Sequence, residues 1–228
     1  LAILGEMSAA VSHELNQPLA AMKTYLAGAR LLLQRRRADE ALSSFHRIDD
    51  LIERMGAITK QLKSYARKGG DAFEAIDVRD SVSAALSIME PQLRQRNMAI
   101  FATLPPEPVI VDADRIRLEQ VLINLLRNAL DATKGVTSPE VSVVLSASSD
   151  AMISVRDNGI GIDDLDSLFE PFYTTKAPGD GVGLGLAISS GIVNDLGGRL
   201  TARNADAGGA VFEIRLPLTA TAAETAAE

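Results

Sequence analysis

The chain has 228 residues, 46% apolar and 23% charged, which excludes a disordered or fibrous protein and is ample for a packed core. Thirty acidic against twenty-three basic residues give a net charge of −7, the wrong sign for binding nucleic acid by bulk attraction. With no cysteine, and only His13 and His46 as histidines, disulfide frameworks, thiolate metal sites and histidine-rich metal sites are excluded as well.

Leu1 falls in what reads as mid-helix, as it would in a piece of a longer protein. No apolar run approaches the ~18 residues that span a bilayer, so no direct membrane contact is expected of this segment. From Leu4 to about Arg36, apolar or small residues recur at spacings of four and three: Leu4, Ser8, Val11, Leu15, Pro18, Met22, Tyr25, Ala29 and Leu32. This is a helical seam close to the heptad period. A polar break over residues 34–40 precedes a second such stretch, through Leu42, Phe45, Ile48, Ile52, Met55, Ile58, Leu62 and Tyr65. The two read as a helical hairpin, each arm roughly 45 Å long at ~1.5 Å per residue. An isolated pair leaves apolar faces bare, and dimerisation into a four-helix bundle would cover them.

Lys68-Gly69-Gly70-Asp71 reads as the boundary, giving a hairpin over 1–68, a linker over 69–73, a second domain over 74–218 and a disordered tail over 219–228. Within the second domain the patterning predicts a helix from about Val78 to Gln95, and short strands at Ala99 to Leu104 and Val109 to Val111. A helix follows from Asp114 to Thr133, then paired strands at Val141 to Ala147 and Met152 to Arg156. A helix from about Gly183 to Leu196 and strands at Arg199 to Ala202 and Ala210 to Leu216 complete it. The expected class is α+β, with helices on one face of a mixed sheet.

Four clusters carry chemistry. In the first, Asn124, Asn128 and Asp131 lie four and three residues apart, on one face of an otherwise apolar helix. Carboxamide oxygens there suit Mg²⁺, and bonding to nearby backbone is the plainer alternative. The second, Asp157-Asn158-Gly159-Ile160-Gly161-Ile162, directly follows a strand. Its carboxylate could accept from an exocyclic amine such as that of adenine, and a plain hairpin turn reads equally well. The third, Gly179-Asp180-Gly181-Val182-Gly183-Leu184-Gly185-Leu186, leads into a helix, where backbone N–H groups can face phosphate oxygens. Between these lies Phe169-Glu170-Pro171-Phe172-Tyr173-Thr174-Thr175-Lys176, either a packed loop with a solvated lysine or a nucleotide lid.

The fourth is His13-Glu14-Leu15-Asn16-Gln17-Pro18 in the first helix. Pro18 removes the N–H that would bond the Glu14 carbonyl, so a bend is expected one turn after the histidine. At about 100° per residue, His13 sits about 200° from Val11 and Leu15 and so faces away from the seam. With an unperturbed pKa of ~6.5 its imidazole is mostly neutral and nucleophilic at pH 7, and Glu14 could fix its tautomer and help take up a proton.

Taken in order, the four clusters resemble the cytoplasmic core of a two-component sensor histidine kinase. Such a core is a dimerisation and phosphoacceptor hairpin followed by an ATP-binding α/β sandwich of the gyrase, Hsp90, histidine kinase and MutL type. The resemblance runs from about Glu6 to Pro217, with Gly208-Gly209 and Phe212 as the closing strand motif. The wording of Gly5-Glu6-Met7 and of His13 to Leu19 is especially similar to sensors of four-carbon dicarboxylates. It implies a cytoplasmic homodimer that uses ATP and Mg²⁺, phosphorylates His13 and hands the phosphoryl group to an aspartate of a response regulator receiver domain. It assigns Mg²⁺ to Asn124 and Asn128, and adenine to Asp157 with Gly159 and Gly161. Asp131, Phe172, Lys176, Gly181, Gly183, Leu184 and Gly185 would complete the nucleotide site. Gln17 stands where many relatives have Thr or Asn for phosphatase activity, and still offers a carboxamide. Ala210 replaces the usual Thr, and Asn124 the glutamate base of ATP-hydrolysing members. An ATPase clamp of the same superfamily and a non-catalytic dimeric scaffold are the rival readings.

Overall fold

The computed structural model describes residues 2–66, 73–176 and 183–219, with side chains from residue 16 onward except 54, 57, 58 and 60–66. The chain divides into two compact units, one comprising Leu1–Lys68 and Pro171–Leu184, the other Gly69–Glu170 and Gly185–Glu228. Apart from Phe73 and Thr219, the expected linker and tail lie outside the described residues.

In the first unit, α1 (Ala2–Gln34) and α2 (Ala38–Ala66) pack together as a hairpin. Helix α1 continues through Pro18 without interruption. Three residues reverse the chain: Arg36 takes a φ of 60°, and the Arg37 N–H donates to the Leu32 carbonyl at 2.9 Å. Ala29 and Ala41 are fully buried, since a methyl side chain lets two helix backbones approach closely. Around them Leu26, Leu31, Leu33, Leu42 and Ile52 stay about half exposed.

The second unit starts with a strand that the sequence patterning did not disclose. Strand β1 (Glu74–Asp77) pairs antiparallel with β3 (Ile110–Ala113) in a separate two-stranded sheet. Asp77 then caps α3 (Val78–Gln95): its carboxylate accepts from the Arg79 N–H at 3.0 Å and from the Val109 N–H at 3.2 Å. Burial pushes this carboxyl's pKa up, but those N–H groups and the Arg79 guanidinium outweigh it and hold the carboxyl below the ordinary range. Strand β2 (Ala99–Thr103) follows α3, and α4 (Arg115–Ala132) follows β3. The expected ends of α4 turn out to be its caps, Asp114 accepting from the Ile116 and Arg117 N–H groups and Thr133 closing the last turn.

The main sheet has the order β2-β4-β5-β7-β6, built with β4 (Glu140–Ala147), β5 (Asp150–Asp157), β6 (Arg199–Asn204) and β7 (Ala210–Pro217). Only the β2–β4 pair is parallel. Alternation decides its faces. Val143, Val155 and Phe212 lie side by side across three strands, as do Leu145, Ile153 and Ile214, and all six are buried. Helix α4 lies against α3, α5 (Gly185–Asp195) and strands β4 and β5, burying Leu118, Val121, Leu122, Leu125, Leu126, Ala129 and Leu130. At about 1.5–3 kcal/mol for each large side chain, that face anchors the unit.

Candidate nucleotide site

On the inward face of β5, Ala151, Ile153 and Val155 are followed two residues later by Asp157. The pleat that buries three apolar side chains thus buries a carboxylate, only 3% exposed. Its Oδ1 accepts from the Gly159 N–H at 2.8 Å and the Ala210 N–H at 3.3 Å, and neither bond uses Oδ2. Burial raises the carboxyl's pKa, against the pull of those two N–H groups and of nearby Arg156. A buried carboxylate costs several kcal/mol unless compensated, about what the loss of a good charged partner costs, so its place at a strand end points to a ligand.

The turn after Asp157 rests on the end of α4. The Ile160 N–H donates to the Ala132 carbonyl at 3.2 Å, and a Cβ on Gly159 would stand 2.5 Å from that same oxygen. Only glycine fits this approach. Gly161 has a φ of 78°, in the left-handed region that other residues enter at a cost. Asn158 faces the other way, its carboxamide bonding the Glu140 N–H at 2.9 Å and the Ser138 carbonyl at 2.8 Å.

Asn124 reaches from α4 to the start of α5. Its Nδ2 donates to the Ser189 hydroxyl at 3.0 Å, and its Oδ1 would stand 2.6 Å from a Cβ on Gly185. Asn128, one turn on, and Asp131 are half-buried, and Asp131 pairs with Lys134 at 3.0 Å. Among the described residues no cluster of His, Cys, Asp or Glu could cage a metal. Two carboxamides without a carboxylate cage fit an ion held mainly by phosphate oxygens and water, which is how Mg²⁺ binds.

The structure therefore brings Asn124, Asp157, Gly159, Gly161 and Gly185 into one unit, along with Asn128 and Asp131. Phe172, Lys176, Gly183 and Leu184 belong to the other. There the Phe172 N–H donates to the Gly183 carbonyl at 2.9 Å, Phe172 itself has a φ of 70°, and Leu184 is buried. Gly179 and Gly181 lie outside the described residues. His13, Glu14 and Gln17 lie on α1; Gln17 is exposed, and the side chains of His13 and Glu14 are outside the described set. Sequence reasoning missed Ser189, a hydroxyl in an apolar helix with no spacing signal, and Ala132, which acts through its carbonyl. Ala210, where the resemblance expects Thr, contributes through its backbone: its N–H donates to the Asp157 Oδ1 alongside that of Gly159.

This fold has known counterparts. Residues 3–70 match the His Kinase A phospho-acceptor domain, and residues 113–220 the histidine kinase, DNA gyrase B and HSP90-like ATPase family. The chain belongs to the sensor histidine kinases, joining their phospho-acceptor domain to their ATP-binding domain. It is 41% identical over 220 residues to the C4-dicarboxylate transport sensor protein DctB of Pseudomonas aeruginosa, covering 95% of this chain and 36% of that protein. The DctB protein of Rhizobium meliloti is 42% identical over 211 residues, covering 91% of this chain and 34% of that protein. The chain thus spans about a third of the length of these relatives. Among solved structures, histidine kinase ThkA in complex with response regulator protein TrrA superposes with a TM-score of 0.73 at 26% identity, over 96% of this chain and 63% of that one. Among the described residues no helix is long and apolar enough to cross a membrane.

Proposed function

We propose that the chain is the kinase core of a two-component sensor: it binds ATP, moves the terminal phosphoryl group to His13 and passes it to an aspartate of a response regulator receiver domain. The observation that carries this reading is Asp157, a buried carboxylate with Oδ1 held by two backbone N–H groups and Oδ2 bound by neither. That arrangement suits an exocyclic amine donor such as the one on adenine. Gly159 and Gly161 let the backbone approach the base.

Asn128, with Asn124, would hold Mg²⁺, which when bound neutralises charge on the phosphates. Lys176 and the backbone from Gly181 to Gly185, with Leu184 between, would take up phosphate charge. Phe172 and Asp131 would border the nucleotide. His13 accepts the phosphoryl group on a ring nitrogen as ADP leaves, and Glu14 takes up the imidazole proton. Asn124, lacking a carboxylate, activates water poorly and reserves the phosphoryl group for His13. The Gln17 carboxamide, one turn along α1 from His13, would position water to hydrolyse the aspartyl phosphate of the response regulator, a phosphatase activity that opposes the kinase.

The proposed domains are 1–68 for phosphotransfer and dimerisation and 74–218 for ATP binding, joined by 69–73. The half-exposed apolar residues of α1 and α2 support a homodimeric four-helix bundle. The DctB relatives, which are C4-dicarboxylate transport sensor proteins, support a four-carbon dicarboxylate as the signal; the cytoplasm is the place where a core that draws on ATP would act. The ThkA–TrrA complex supports a response regulator as the partner. Incubation with γ-labelled ATP tests the central claim: the label should be lost in acid and kept in alkali, as for phosphohistidine. An alkali-labile, acid-stable label would sink it.

A further inference from the structure

Asn204, the last residue of β6, is exposed and belongs to none of the clusters assigned above. Both ends of its carboxamide nevertheless close on the backbone of one distant residue. Oδ1 accepts from the Ile162 N–H at 2.7 Å, and Nδ2 donates to the Ile162 carbonyl at 2.9 Å, across 42 residues of sequence. The side chain thus supplies what a neighbouring strand would supply. The fit with Gly161 is equally close: a Cβ there would stand 2.8 Å from the Asn204 Oδ1.

The same residue is tied to Asp157. Asn204 pairs with Ala210, the residue whose N–H holds the Asp157 Oδ1. Between them the chain turns through the Ala205 N–H to Gly209 carbonyl bond and the Gly208 N–H to Ala205 carbonyl bond, both 2.9 Å. Both ends of the Asp157–Ile162 turn are therefore held from the β6–β7 hairpin, one through Ala210 and the other through Asn204. A hydrogen bond at an exposed site contributes little to overall stability. The worth of this one lies in fixing a glycine-rich turn whose backbone has many alternatives.

We propose that Asn204 is a positioning residue for the nucleotide, its carboxamide locking the Ile162 N–H and carbonyl so that the Gly159–Gly161 backbone is preset for the base. This rests on the kinase reading above. In the full chain, Asn204→Ala should raise the ADP Kd and the ATP KM about tenfold, the loss of ~1.4 kcal/mol of preorganisation. The kcat at saturating ATP should stay within about threefold and Tm nearly unmoved, because no reacting group is touched. Amide exchange at Ile162 should quicken at least about tenfold in the same variant, the N–H having lost its acceptor. Asn204→Asp keeps the acceptor but loses the donor, and should fall between. Thr201→Ala on the same strand should match the original.

Unchanged ADP affinity together with unchanged Ile162 exchange in Asn204→Ala overturns the proposal, as does a fall in Tm with KM unaltered. If the original chain binds neither ADP nor ATP, the kinase reading fails first, a result distinct from an original that binds and a variant that binds equally well.

Discussion

Seven apolar side chains of α4, from Leu118 to Leu130, are buried within a single copy of the chain, whereas Leu26, Leu31, Leu33, Leu42 and Ile52 of the hairpin remain about half exposed. Both regions have the periodic apolar pattern of amphipathic helices, so the difference lies in what they pack against. Helix α4 has a sheet and two helices around it, and its unit closes its own core. A two-helix hairpin has only itself. In our reading the nucleotide unit is therefore stable in one copy, while a second copy completes the scaffold for His13.

The sharpest way to break this division is at the acceptor. His13→Gln should abolish acid-labile labelling while ADP affinity, measured by calorimetry, stays within about twofold of the original. His46→Gln should label normally. Labelling that survives His13→Gln would place the acceptor elsewhere.

Next in size is the hairpin's missing surface. Met55, half-buried on α2, should lie in the bundle core, where an uncompensated charge costs several kcal/mol. Met55→Glu should weaken the dimer by at least about a hundredfold in light scattering, and autophosphorylation should fall with it. Arg36→Glu, in the exposed connection, should leave the dimer intact. A monomeric original protein contradicts the bundle outright.

A smaller effect separates the regions from the other side. Asp157→Asn turns part of an acceptor into a donor facing the adenine amine, and should weaken ADP binding by about ten- to a hundredfold while the dimer is untouched. If calorimetry returns the original ADP affinity, adenine binds elsewhere.

The smallest concerns the α/β unit alone. Asp77→Ala removes the cap of α3 and the bond to Val109, at a cost of about 1–2 kcal/mol in urea unfolding. The folded-state pKa of Asp77 is lowered, so the stability it contributes is present above its unfolded pKa of ~3.9 and is lost as pH falls through the folded value. The gap between original and variant should therefore be widest near neutrality and narrow in acid below about pH 4. A gap independent of pH would mean that the ionised carboxylate is not what holds the cap.

Much of this was legible from the residues, and what was not has a common cause. The alternation of β5 and β7 and the apolar faces of α3 and α4 are local patterns, so α3 lies where the sequence puts it and the other three within two residues. Strand β1 is different: Glu74–Asp77 is four residues long, shows no alternation, and is a strand only because β3, more than thirty residues later, pairs with it. The same holds at the site. Asp157 and the glycines around it announce themselves as a carboxylate and flexible backbone after a strand. Asn204, Ser189 and the carbonyl of Ala132 acquire their roles from register and helix packing, which no spacing along the chain encodes.

The sheet's two edges are also unlike each other. Strand β6 carries Arg199 and Arg203, whose charges discourage another strand from adding to it. Strand β2 at the opposite edge has no charged residue, and Phe101 is 57% exposed on it. Its outer row of backbone groups is a template for pairing, limited by its length of five residues and by Pro105 and Pro106 just beyond, which have no N–H to offer. Of the two edges, β2 is thus the one more open to pairing with another strand, and Phe101→Lys should lower any edge-to-edge association of the sheet.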